Sequence, residues 1–122
     1  MDIADDKLAD ALEASHRALT IFHQLGHRGD EARILDLTGL IYARQGRLAE
    51  AAAFHRRAVT ILRQAGDQRL LVGALDNLAS VLEQNDERDE AHAVWREAST
   101  LLASLSGPRV ASLRSYIEQR LE

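Results

Sequence analysis

Several residue types are scarce or missing in this chain, and each shortage excludes a class of protein. The 122 residues include no cysteine, which excludes a disulfide framework, a thiolate metal site and a cysteine nucleophile. A chain without disulfides suits a reducing compartment, and we expect a cytoplasmic protein. Its longest apolar runs fall far short of the roughly eighteen residues that a membrane span needs. The acidic start, MDIADDKLADALEA, also lacks the basic and then apolar pattern of a secretory signal.

Clustered positive charge is also missing from the sequence. The 15 basic and 19 acidic residues leave a net charge of −4, and the longest basic run is the pair Arg56 and Arg57. A nucleic-acid backbone favours clustered positive charge, so we expect no direct nucleic-acid partner. The apolar content of 46% and the charged content of 28% are typical of one globular domain.

The chain contains an internal repeat at an offset of 40 residues. The segment HRALTIFHQLG at 16–26 returns as RRAVTILRQAG at 56–66 and, more weakly, as REASTLLASLS at 96–106. Small residues recur at fixed places beside large apolar ones, which is the pattern of closely crossing helices. The recurring small positions are Ala11, Ala51 and Ala91, and Ala18, Ala58 and Ala98.

Apolar residues at spacings of three and four predict six helices, at about 5–25, 30–45, 48–65, 68–84, 89–104 and 109–121. The alternation typical of strands is absent over any useful length. Pro108 fits the first turn of the last helix. We expect one domain over 1–122, divided into a half repeat at 5–26, repeats at 30–66 and 68–105, and a capping helix at 109–121.

The two complete units resemble the tetratricopeptide repeat family. The first unit offers Leu35, Thr38, Gly39 and Tyr42, then Ala51, His55 and Ala58, and the second offers Leu75, Leu78, Ala79 and Leu82, then Ala91, Trp95 and Ala98. The resemblance implies an all-α fold, a right-handed superhelix of about six antiparallel helices. The period of 40, rather than the usual 34, is similar to a longer variant found in kinesin light chains, peptide-sensing regulators and large bacterial transcription activators.

That resemblance implies a protein-interaction module, acting as a regulatory or sensing arm of a larger bacterial regulator. Its partner would be a protein or peptide segment, or another domain of the parent chain, bound on the concave face by the first helices of the repeats. Alternatively, Asp36 and Asp76 are solvated and Asn77 bonds a neighbouring helix. The implied concave-face residues are Arg33, Asp36, Leu37, Leu40, Arg44, Asp76, Asn77, Ser80, Glu83 and Gln84.

Two other kinds of function compete with this interpretation. A homodimer could form through the terminal helices, by Leu8, Leu12 and Ile21 at one end or by Val110, Leu113 and Ile117 at the other. An enzyme or metal site has weaker support. His23 and His27 have a helical ligand spacing, but Gly26 lies between them and we expect solvated loop residues. We find no catalytic pattern or phosphate loop, and we expect no enzyme activity, metal or cofactor.

Overall fold

The computed structural model describes residues 3–122, so Met1 and Asp2 of the predicted domain lie outside the described residues. This part of the chain forms six α-helices and no strand, which confirms the predicted all-α fold. Each observed end lies within two residues of its predicted position. The helices are α1 (Ile3–Leu25), α2 (Arg28–Arg44), α3 (Leu48–Ala65), α4 (Gln68–Gln84), α5 (Arg88–Leu102) and α6 (Pro108–Leu121).

Short turns connect most of these helices and enforce the antiparallel stack. Gly26, Gly46 and Gly66 lie in the turns after α1, α2 and α3, with φ angles of 70°, 77° and 73°. These left-handed angles suit glycine because it has no Cβ. Asp86 occupies the place of Gly46 in the second unit and adopts the same backbone region, with φ of 61°. The two units therefore use one turn geometry with different residues.

The helices pack in pairs, α2 on α3 and α4 on α5, and α3 joins the pairs by packing on α4. The repeated alanines lie at the crossings: Ala51, Ala58, Ala91 and Ala98 are all completely buried. Because these side chains are small, the helix axes can approach closely, and large side chains such as Leu35, Leu75, Leu82 and Trp95 fill the space beside them. The packing positions predicted from the repeat are therefore the core positions.

The last helix, α6, closes the stack. Val110 and Ile117 on its inner face are 6% and 0% exposed. The Arg114 guanidinium donates to the carbonyl oxygen of Leu102 at 2.7 Å, at the point where α5 ends two residues earlier than predicted. Val110 and Ile117 are buried against the rest of the chain, which corrects the expectation that they belong to a C-terminal dimer surface. Leu113, the third residue of that surface, is half-buried.

None of the helices in the described residues is both long and apolar enough to cross a lipid bilayer.

Candidate functional site

The first helix, α1, has the sequence of the second helix of a repeat, and within residues 3–122 it packs on the following helix, α2, but on no preceding one. Ala11 of α1 is exposed, whereas its equivalents Ala51 and Ala91 are completely buried. Ala18 is only half-buried, whereas its equivalent Ala58 has no exposed surface. The face of α1 that contains these alanines is therefore open, whereas α3 and α5 bury the same face against a neighbouring helix.

This open face and the neighbouring face of α2 form a groove with a cavity of about 540 Å³, which we name the N-terminal groove. Two of the four large apolar side chains that are exposed in the described chain lie in it: Leu37 is 47% exposed and Leu40 is 41% exposed. Concave apolar surfaces of this kind are characteristic of binding sites. The groove is lined by Leu8, Ala11, Ala14, Ser15 and Ala18 of α1, and by Ile34, Leu37, Leu40, Ile41 and Arg44 of α2.

The structure divides the sequence-predicted site residues into separate groups. Leu37, Leu40 and Arg44 line the N-terminal groove together. Ser80, Glu83 and Gln84 lie on α4 and do not line it. Arg33 is exposed and lines a shallow depression between the first turns of α2 and α4.

Asp36 connects three helices by hydrogen bonds. Its carboxylate accepts from Nδ1 of His55 at 2.6 Å and from Nδ2 of Asn77 at 2.8 Å. His55 is completely buried and Asp36 is half-buried. Charge-assisted bonds of this length are strong in a partly buried setting, so these residues hold α2 against α3 and α4. The structure thus agrees with the alternative in which Asn77 bonds a neighbouring helix.

Asp76 makes the equivalent contact in the second unit. Its carboxylate accepts a hydrogen bond from the indole Nε1 of Trp95 at 2.9 Å. The two pairs, Asp36 with His55 and Asp76 with Trp95, are each 19 residues apart. From the sequence, both aspartates are expected either to face a ligand on the concave surface or to be solvated, and neither alternative includes these hydrogen bonds. The sequence does contain a signal for this pairing. An aspartate and a ring with an N–H group, 19 residues apart, occur in the first unit and recur 40 residues later in the second.

Partial burial also changes the titration of Asp76. Desolvation raises the pKa of its carboxyl group above the ordinary value, because burial disfavours the charged form. The hydrogen bond from Trp95 and the positive charge of Arg120 lower the pKa and oppose this effect without cancelling it. Asp76 therefore costs the folded chain some stability when it is ionised.

The two histidines considered as metal ligands make contacts of other kinds. Nδ1 of His23 lies 3.2 Å from a carboxylate oxygen of Glu31, which is 4% exposed, and Arg28 approaches the same carboxylate at 3.3 Å. His27 stacks on the ring of Phe22. Between residues 3 and 122 the structure groups no three histidine, cysteine, aspartate or glutamate side chains in a way that could hold a metal ion.

Comparison with known proteins agrees with the repeated architecture. One sequence model of the tetratricopeptide repeat matches residues 2–64, just over half of the chain, and a second matches residues 71–109. The chain belongs to the tetratricopeptide repeat family. Such repeats serve generally as protein-interaction modules, and this chain is one of them. The kinship with the variant of period 40 stays a prediction.

A solved structure shows the same fold. The N-terminal domain of stress-induced protein-1 from C. elegans superposes with a TM-score of 0.58, over 91% of this chain and 97% of that domain. The sequence identity is 13%, so this likeness concerns the fold alone. No curated protein sequence matches the chain.

Proposed function

We propose that this tetratricopeptide repeat chain binds a segment of another protein, or of another domain of its parent chain, in the N-terminal groove. The observation that carries the proposal is the exposure of Leu37 and Leu40 side by side in an apolar cavity. The proposed setting is the cytoplasm, and the proposed role is that of a recognition arm of a larger regulator. That role rests on the resemblance of the 40-residue units to the arms of such regulators.

Burial of apolar surface supplies the driving force. Burying one leucine side chain completely contributes about 1.5 to 3 kcal/mol, and about half of each of these two leucines is still exposed. Covering both therefore contributes about 2 kcal/mol, before the alanines of α1 are counted. Arg44 at the edge of the groove offers a guanidinium that can pair with a carboxylate of the bound segment.

The other predicted concave-face residues extend this site along the stack. Ser80, Glu83 and Gln84 on α4 offer polar groups to a segment that continues beyond the groove. Asp36, Asp76 and Asn77 act indirectly in this proposal, because their hydrogen bonds hold the first helices in place. Arg33 adds positive charge on the exposed side of α2.

Affinity capture with matched variants tests this function. The groove variant is Leu37→Asp combined with Leu40→Asp, and the control is Ile21→Asp, because Ile21 is 53% exposed and lies outside the groove. All three substituted side chains are exposed, so we expect both variants to fold. We expect a partner from native lysate to be retained by the wild type and the control and lost by the groove variant. Equal retention by the groove variant would contradict the proposal.

Self-association is the second candidate, because Leu8 lines the same groove and a second copy could cover it. In this case the mass measured by analytical ultracentrifugation would double with concentration, and Leu37→Asp with Leu40→Asp would restore the monomer. Of the other two residues considered for an N-terminal dimer surface, Leu12 is half-buried against the core and would contribute less exposed surface than Ile21.

A further inference from the structure

The internal repeat shows what kind of element fills a groove of this shape. The equivalent groove between α3 and α4 is occupied by α2, which packs on both helices. Leu35 on the packed face of α2 is completely buried, and Tyr42 is 7% exposed. The N-terminal groove continues this same interface by one more unit, with α1 in the place of α3 and α2 in the place of α4.

We propose that the N-terminal groove binds an amphipathic α-helix of the partner. This helix lies where the first helix of a repeat would lie, and it carries no carboxylate at its centre. This inference rests on the proposed function and names the class of partner. A helix fits because α1 presents small side chains at the positions that receive a helix elsewhere in the chain. Ala11 and Ala18 are the equivalents of Ala51 and Ala58, which are completely buried in α3, the helix that packs on α2.

The exclusion of a central carboxylate follows from the partners of Asp36. In the α3 and α4 groove, Asp36 receives hydrogen bonds from His55 and Asn77. The repeat offset places Ser15 and Leu37 at these two positions in the N-terminal groove. Leu37 has no donor, and the hydroxyl of Ser15 already donates to the carbonyl oxygen of Leu12 at 2.9 Å. A carboxylate buried there would lack its partners, which disfavours binding.

The space in the N-terminal groove leads to a second preference, which concerns the size of one side chain of the bound helix. A Cβ atom on Gly39 would lie 2.7 to 2.8 Å from ring atoms of His55, so this ring requires glycine in α2. In the second unit, Ala79 and Trp95 are the residues at the positions of Gly39 and His55. In the N-terminal groove the ring position is occupied by Ser15, which is much smaller. The bound helix therefore has room for a large apolar side chain where α2 has Gly39.

The last helix of a second copy does not meet these requirements. The α6 residues equivalent to the packed face of α2 are polar and exposed: Ser112, Ser115, Glu118 and Gln119. Docking α6 into the groove of another copy would bury these groups against alanine and leucine, at a cost in desolvation. A different chain or domain therefore fits the groove better than head-to-tail stacking of this one.

Fluorescence anisotropy with three labelled peptides and the full chain tests this inference. The probe has the sequence of residues 28–45 with Asp36→Leu and Gly39→Leu. The acidic control carries Gly39→Leu alone and differs from the probe only at the central carboxylate. The third peptide adds Thr38→Pro to the probe, because proline in a helix interior prevents helix formation. Circular dichroism of the free peptides corrects for differences in helix content.

We expect the probe to bind and the acidic control to bind about ten-fold more weakly, since an unpaired buried carboxylate costs on the order of one power of ten in affinity. We expect the proline peptide to lose more than this, and Leu37→Asp with Leu40→Asp in the chain to abolish binding of the probe. Equal binding of the acidic control or of the proline peptide would overturn the inference, as would a chain dimer that the probe cannot dissociate.

The affinity-capture experiment distinguishes failure of the helix inference from failure of the proposed function. If the lysate partner is lost with the groove variant while the peptides show no helix preference, the groove binds a segment of another conformation and only the present inference fails. If the groove variant keeps the partner, the proposed function fails and this inference fails with it.

Discussion

The contact between Gly39 and the His55 ring leads to a stability prediction with an internal control. Gly73 lies in the interior of α4, and a Cβ atom there would meet nothing within 4 Å. Because glycine weakens a helix interior by about 0.5 to 1 kcal/mol relative to alanine, we expect Gly73→Ala to stabilise the chain by about this amount.

Gly39→Ala gains the same helix propensity but forces the His55 ring to move. Ring atoms at 2.7 to 2.8 Å from the new Cβ must retreat by about half an ångström or more to reach ordinary contact. The ring is completely buried and is held by Asp36 at 2.6 Å, so it has little freedom to move. Overpacking of this kind costs about 1 to 3 kcal/mol, and we expect a net destabilisation of about 1 kcal/mol.

Urea unfolding followed by circular dichroism measures both variants, with the slope of the transition checked for constancy. A His55→Ala background supplies the decisive comparison, because without the ring Gly39→Ala should become stabilising. Non-additivity of the two substitutions would measure their direct contact. If Gly39→Ala were as stabilising as Gly73→Ala in the wild-type background, the close approach of the ring to α2 would be refuted.

Three further predictions concern the turns, the pH dependence and the last helix. Asp86→Gly should raise the free energy of unfolding by about 0.5 to 1 kcal/mol, because φ of 61° is unfavourable for a residue with a Cβ. A neutral or destabilising result in urea titrations would contradict this prediction. Burial raises the pKa of Asp76, so the folded chain takes up the proton more readily than the unfolded chain and ionisation costs stability. The wild type should therefore gain stability relative to Asp76→Asn as the pH falls from neutral to about 4, and a pH-independent difference between the two would refute the raised pKa. Arg114→Ala should lower the free energy of unfolding by about 1 to 2 kcal/mol, because it removes a charge-assisted hydrogen bond to the end of α5. Hydrogen exchange should show the loss of stability first in α6, and unchanged exchange rates in α6 would count against the contact.

The fold could be predicted from the sequence because its determinants are local and repeated. The alanines and leucines at an offset of 40 residues mark the helix crossings, and Gly26, Gly46 and Gly66 mark the turns. The end of α5 was placed two residues too late. Arg114, a side chain of another helix, donates to the last carbonyl oxygen of α5, and such a contact leaves no periodic signal in the sequence.

The candidate site was less accessible to sequence reasoning. The resemblance implies Leu37 and Leu40 as residues of the concave face, but nothing in the sequence predicts a cavity that they form together with α1. The open face of α1 becomes visible only when its exposure is compared with that of α3 and α5. From the sequence, Asp36 and Asp76 are expected to face either a ligand or solvent, and the packed helices instead bring both carboxylates to ring N–H groups.

Chemical-shift mapping of the full isotope-labelled chain tests the central claim most directly, which is that the N-terminal groove is the binding surface. Addition of the unlabelled peptide of residues 28–45 carrying Asp36→Leu and Gly39→Leu should shift the amide and methyl signals of Leu8, Ala11, Ala18, Leu37 and Leu40, and should leave α5 and α6 unchanged. Shifts concentrated on α4 to α6, with the signals of α1 and α2 unperturbed, would contradict the account.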